Sequence, residues 1–182
     1  MEIIKEALTF DDVTLAPNYS KVLPSEVNTS TILSKHLSLK IPLITSAMDT
    51  VTESKMAITI AELGGIGVVH RNLTIDKQIS EIRKVKSKKY KVGAAVGASP
   101  QEHKRAEKIL RENLDLIVVD TAHGHTKKVA EIIKKIKKTK PKKTTLCAGN
   151  IATAEAARFL IKLGVDIIKV GIGPGSICTT RL

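Results

Sequence analysis

Short apolar runs alternate along the chain with longer segments in which apolar residues recur at helical spacing. Runs at 41–45 (IPLIT), 66–70 (IGVVH), 92–97 (VGAAVG), 116–120 (LIVVD), 144–148 (TTLCA) and 166–170 (DIIKV) read as strands. Segments at about 53–63, 75–87, 100–113, 126–138 and 153–163 read as helices. Strand starts recur every 22 to 28 residues, the period of a βα repeat. Several strands are apolar almost throughout, as a parallel sheet covered on both faces requires. Within 126–138, Val129, Ile132, Ile133 and Ile136 fall on one stripe and lysines occupy most of the rest, so this helix is expected to bury one face and solvate the other.

Local chemistry places the helix ends. Ser99-Pro100-Gln101-Glu102 combines a hydroxyl at N-cap, proline at N1 and glutamate at N3, the pattern of a capping box, and Thr50-Val51-Thr52-Glu53 has the same spacing. Gly64 and Gly164 stand where C-caps are expected, each leading into the next strand.

Such repeats build either a doubly wound sheet or an eight-fold barrel. Ser46, His70, Asp120, Asn150 and Gly171 all fall at the C-terminal ends of successive strands. A (β/α)8 barrel assembles its site there from several strands at once, whereas a doubly wound sheet gathers its ligand groups near one switch point. The expected fold class is therefore α/β, a TIM (β/α)8 barrel, in one domain over 1–182. Six of the eight strands are present, which leaves two unpaired edges, so the sequence is expected to be part of a longer protein.

Net charge is +12, with lysines concentrated at 84–91, 104–111, 127–138 and 140–143. Three of these stretches coincide with or flank helical segments, so the lysines are expected to form solvated outer faces. Aromatics amount to 2% with no Trp, which leaves few stacking platforms for single strands and makes a nucleic-acid role the less favoured reading. No run approaches the roughly 18 apolar residues of a membrane span. The N-terminus has no signal-peptide pattern, so a cytoplasmic protein without a membrane partner is expected. Two cysteines make no disulfide framework, and each is read as a thiol.

The segment 171–181, GIGPGSICTTR, carries the strongest chemistry. Alternating glycines and a proline let the backbone approach a ligand closely, its N–H groups can bind phosphate, and its carbonyls can bind a cation. Cys178 stands in this polar loop at a strand's C-terminal end, where a thiolate is well placed to attack an electrophilic carbon. Cys147, inside TTLCAG, reads as core. Other polar residues have structural alternatives. Ser46 and Asn150 could satisfy strand-end backbone groups, and Asp120 could cap the next helix. His123 and His125 make a poor metal pair at i, i+2 on a loop. His70 reads as a strand-end hydrogen-bonding residue and not as a base.

GIGPGSICTTR resembles the active-site loop of the IMP dehydrogenase / GMP reductase family. LTFDDVTLAPNYSKVLPSEV at 8–27, IPLITSAMDTVTE at 41–53, GGIGVVHRN at 64–72, KVGAAVG at 91–97, DTAHGH at 120–125 and AGNIAT at 148–153 agree with it in order and spacing. The reductases typically have asparagine before the methionine of the MDTV block and diverge just after it. They also differ from DTAHGH, so SAMDTVTE and DTAHGH favour the dehydrogenase, with the reductase as the alternative. The resemblance implies that Cys178 attacks C2 of inosine monophosphate, that hydride passes from C2 to NAD, and that a covalent thioimidate is then hydrolysed. It implies Thr180 beside the reacting centre, Ser46 and Met48 lining the nucleotide pocket, and Ser176 on the 5'-phosphate. Asp120 would contact the nicotinamide ribose, and Thr121, Asn150 and Gly171 would border the nicotinamide. Carbonyls of Gly173, Gly175 and Cys178 would hold potassium, and the assembly would be a homotetramer.

Two departures from the family pattern stand out. Between 75–87 and 92–97 the family usually inserts a pair of cystathionine-β-synthase-type repeats, whereas here a short link near 87–91 joins the two elements. No allosteric purine site is expected in consequence. The family barrel also continues past the cysteine loop with two strands, a second phosphate-binding segment and a flap whose arginine activates water. The 182 residues alone are therefore expected to bind nucleotide weakly and to turn over negligibly.

Overall fold

The computed structural model describes Leu8, residues 12–173 and Cys178. A single 3-10 turn at Pro24–Glu26 precedes an antiparallel hairpin of β1 (Thr31–Ser34) and β2 (Leu37–Leu39). The repeat then runs β3 (Ile44–Thr45), α1 (Ser54–Glu62), β4 (Ile66–Val69), α2 (Ile75–Ser87), β5 (Val92–Val96), α3 (Pro100–Leu110), β6 (Leu116–Asp120), α4 (Lys127–Thr139), β7 (Thr145–Ile151), α5 (Ala154–Lys162) and β8 (Ile167–Val170).

All six repeat strands pair in parallel, in the order β3-β4-β5-β6-β7-β8. Sequence order and spatial order coincide. A doubly wound sheet would reverse direction at its switch point, and this one does not. One core lies between the outer face of the sheet and the helices; Val96, Ile109, Ile117, Ile132, Ile133 and Leu160 are fully enclosed in it. A second core lies on the inner face, where Ile66, Val68, Ala95, Leu116, Val118 and Cys147 meet Leu37 and Leu39 of the hairpin. Helices on one face and a lumen on the other make the curled sheet a half-barrel, the expected fold in part.

The hairpin was not anticipated from the sequence. Its strands are four and three residues long, too short for a clear alternating signal. It lies at the N-terminal ends of the barrel strands, where the hydroxyls of Ser34 and Thr145 meet at 2.7 Å and Lys91 Nζ donates to the Ser38 carbonyl at 2.7 Å. Leu37 and Leu39, both buried, cover the lumen from that end.

Helix starts differ from expectation in an instructive way. Ser99 makes no side-chain cap. Glu102 turns away from the helix start, accepting from Gly97 N at 2.6 Å and from Arg105 Nε at 2.9 Å. Arg105 also donates to Gln78 Oε1 and the Leu73 carbonyl, and Gln78 Nε2 donates to Ala95 O at 2.9 Å. This buried network ties β5 to α2 and α3, and it outcompetes the capping box. The second expected box also fails, because Thr50 lies at φ 61° and α1 begins only at Ser54, which puts Glu53 at the N-cap and not at N3. The first amide of α1, Ser54 N, is instead taken by Glu81 Oε2 at 2.8 Å. Hydroxyl caps occur at Thr74, Thr126 and Thr153, which accept from Lys77, Val129 and Ala156 N–H groups. Gly64 and Gly164 close α1 and α5 with φ of +96° and +72°, as expected.

The stripe of α4 behaves as its spacing demands, with Val129, Ile132, Ile133 and Ile136 all buried and worth about 1.5–3 kcal/mol each against exposure. The first strand is shorter than IPLIT suggests. Pro42 offers no N–H and Leu43 N turns back to Ile41 O at 2.9 Å, so ladder pairing starts at Ile44. Among the described residues no helix is long and apolar enough to cross a membrane.

Candidate active site

A cavity of about 600 Å3 opens at the C-terminal ends of the strands. The β3–α1 loop contributes Met48 and Asp49, the end of β4 contributes His70, Arg71 and Asn72, and β6 contributes Asp120 with Thr121 beyond it. Asn150 comes from β7, Lys169 from β8, and Gly173 and half-buried Cys178 follow β8. Residues separated by more than a hundred positions thus converge because every parallel strand delivers its last residues to the same rim.

Pairing sets which side chains face the lumen. Asp120 pairs with Gly149 and Gly149 with Lys169, so the three share one layer. Lys169 Nζ reaches across the glycine to Asp120 Oδ1 at 2.8 Å. A Cβ on Gly149 would stand 2.4 Å from the Lys169 carbonyl oxygen and 2.7 Å from its Cβ, so this close approach requires glycine. Cys147 lies one inward position below, beside Val118 and Ile167. Burial pushes its thiol up to about 12, with the Asp120 charge adding to the rise and Lys169 opposing it. At neutral pH Cys147 is therefore an inert thiol of the inner core, as expected.

The strand-end polar residues are held by backbone bonds. Thr121 donates both its N–H (3.0 Å) and its hydroxyl (2.8 Å) to the Gly149 carbonyl, and Asn150 N returns a bond to Thr121 O at 2.7 Å. Asn150 Nδ2 donates to Gly171 O at 2.8 Å. The structural alternative weighed for Asn150 is thus realised, since its amide ties β7 to the start of the glycine loop. The alternative weighed for Asp120 is not, because Thr126 caps α4 and Asp120 pairs with Lys169. The His125 ring meets that of Phe159 of α5 at a tilt of 55°, ring centroids 4.6 Å apart.

The profile of the IMP dehydrogenase / GMP reductase domain matches residues 7–182. The chain belongs to this family. It is 44% identical to an inosine-5'-monophosphate dehydrogenase of Borreliella burgdorferi, an alignment covering all of this chain and 57% of that protein. It is 40% identical to the enzyme of that name from Cryptosporidium parvum, over 98% of this chain and 54% of the relative. The corresponding figures for Aquifex aeolicus are 33%, 98% and 62%. The chain thus spans a little over half the length of the curated relatives it matches.

Of the residues that the family resemblance singles out, Met48, Asp120, Thr121, Asn150, Gly173 and Cys178 line the one cavity. Ser46 and Gly171 adjoin it: Ser46 O accepts from Met48 N at 2.9 Å, and Gly171 O accepts from Asn150. Gly175, Ser176 and Thr180 lie outside the described residues. Lys169, Asp49 and Asn72 line the cavity and were missed by sequence reasoning. A signal existed for Lys169. It is a charged residue between the apolar Ile168 and Val170 and stands two residues after Ile167, on the lumen side of the strand.

Proposed function

We propose that this chain carries the nucleophile and much of the dinucleotide face of an enzyme that oxidises inosine 5'-monophosphate to xanthosine 5'-monophosphate. The Cys178 thiolate adds to C2 of the hypoxanthine ring, forming a C–S bond and moving the C=N electron pair onto the ring nitrogen. That pair re-forms the double bond as C2 gives up hydride. A bound nicotinamide dinucleotide, NAD, supplies the hydride acceptor. The purine is then a thioimidate on Cys178; water adds at C2, and loss of the thiolate releases product.

The observation that carries this reading is the placement of half-buried Cys178 in one cavity with Met48, Asp120 and Asn150, side chains from three different strand ends. Met48 and Ser46 would flank the nucleotide, with Ser176 on its phosphate and Thr180 beside C2. Asp120 suits a ribose diol: one carboxylate oxygen is held by Lys169, and the other has no hydrogen-bond partner among the described residues. Thr121, Asn150 and Gly171 would border the nicotinamide. Carbonyls of Gly173, Gly175 and Cys178 are hard oxygen donors of the kind that suit potassium, and they would hold the loop rather than take part in the bond changes. A homotetramer is part of the proposal.

The test is peptide mapping after incubation with 6-chloropurine ribotide, which reads a single covalent event and needs no turnover. Saturable modification at Cys178, suppressed by inosine monophosphate, is expected. An unreactive Cys178, together with salt-sensitive binding of nucleic acid by the lysine-rich helices, would instead favour a basic binding protein.

A further inference from the structure

We propose that Asn72 is a positioning residue whose side-chain amide, by holding Asp49, fixes the Met48–Asp49 wall of the cavity for the nucleotide. The inference rests on the function proposed above. The loop 46–53 turns sharply, with Thr50 at φ 61° and with both Val51 N and Thr52 N bonded to Met48 O at 3.2 and 3.1 Å. Its base is anchored, since buried Thr52 donates its hydroxyl to Ser46 O and accepts from His70 N at 3.3 Å. The Asp49 side chain, at the exposed lip, has one hydrogen-bond partner among the described residues, Asn72 Nδ2 at 2.9 Å.

Asn72 is in turn fixed from below. Its backbone N–H donates to His70 Nδ1 at 3.1 Å, and His70 is 2% exposed. Because Nδ1 accepts, the neutral imidazole carries its proton on Nε2, which faces Glu53 Oε1 at 3.4 Å. Both ring nitrogens are thereby engaged, so His70 acts as an anchor and has no lone pair to spare as a base. A continuous series of bonds runs from the buried imidazole through Asn72 to the carboxylate at the lip. Without its last member, the Asp49 carboxylate is free to swing toward the anionic nucleotide.

Exchange of the two side chains tests this. Asn72→Asp places two carboxylates where a donor and an acceptor now meet, and the double variant D49N/N72D restores the bond with the roles reversed. The probe is 6-chloropurine ribotide, read as the half-saturating concentration for modification of Cys178, with iodoacetamide reactivity of Cys178 as the control for fold and access. Asn72→Asp is expected to raise half-saturation about tenfold, and Asn72→Ala, which adds no charge, by about threefold. The exchanged pair is expected to return to within about threefold of the parent, with iodoacetamide rates unchanged throughout. An unaltered half-saturation in both single variants overturns the inference, as does an exchanged pair no better than Asn72→Asp, or an equal loss of iodoacetamide reactivity. A parent protein that shows no saturable modification overturns the proposed function and this inference with it.

Discussion

Lys169 and Asp120 form an ion pair, Nζ to Oδ1 at 2.8 Å, across a position in β7 where only glycine fits. Three strands contribute to this single contact, and Gly149 is its condition. Gly149→Ala forces the Cβ into the Lys169 backbone, so it is expected to destabilise the fold by about 2–4 kcal/mol and to lower the unfolding midpoint by several degrees in calorimetry. Lys169→Met leaves Gly149 room but releases Asp120. Under the proposed function, dinucleotide affinity measured by titration calorimetry is expected to fall about tenfold, with a much smaller change in stability than Gly149→Ala gives.

Cys147 and Cys178 are expected to separate chemically. With its thiol pushed up to about 12, Cys147 stays protonated at pH 8, and iodoacetamide under native conditions should label Cys178 alone among the two. Denaturant should expose both. The same shift has a consequence for stability. A thiol whose folded pKa lies above its unfolded value stabilises the fold fully below the unfolded value, ordinarily 9.0. That contribution is lost as pH rises from there through about 12. Replacing Cys147 with alanine is expected to flatten stability over this alkaline range, measured by denaturant unfolding at several pH values.

At the acid end, Glu81 works in the opposite sense. Burial alone would raise its carboxyl, but bonds from Lys84 and the Ser54 N–H outweigh that and hold it below its ordinary value of 4.5. Its contribution is therefore present above the unfolded value and is lost as pH falls through the lowered one. Glu81→Gln should make stability less sensitive to pH on the acid side, and amide exchange at Ser54 is expected to quicken.

Much of the architecture was legible because it rests on periodicity. The α4 stripe, the two glycine C-caps and the six strands follow from which residues recur at 3.6 or 2 positions and from which tolerate a left-handed turn. The failures share one cause. Glu102 and Asp120 each carry a group that a local pattern assigns to the nearest backbone, yet tertiary packing claims it. Asp120 is held by Lys169, 49 positions away, and Glu102 by Gly97 and by Arg105, which is itself tied to Gln78 and Leu73, 27 and 32 positions away. The same holds for Asn72 and Asp49, 23 positions apart, which meet because β3 and β4 are neighbours. No spacing along one chain announces such a pair.

The capping result can be checked directly. Thr126→Ala and Thr153→Ala are each expected to cost about 1 kcal/mol in urea unfolding, whereas Ser99→Ala should be close to neutral. Arg105→Met, which leaves the Glu102 carboxylate buried and half-satisfied, is expected to cost more, about 3 kcal/mol.

The central claim is that Cys178 is the nucleophile toward purine C2, and trapping the covalent purine tests it most directly. The protein is mixed with inosine monophosphate and NAD, quenched with acid and digested, and the peptides are mapped by mass spectrometry alongside NADH absorbance. The account predicts a xanthosine-phosphate adduct on the Cys178 peptide, absent from the Cys147 peptide, dependent on NAD and abolished by Cys178→Ala. NADH formation that persists in Cys178→Ala, or an adduct that maps to Cys147, would contradict it.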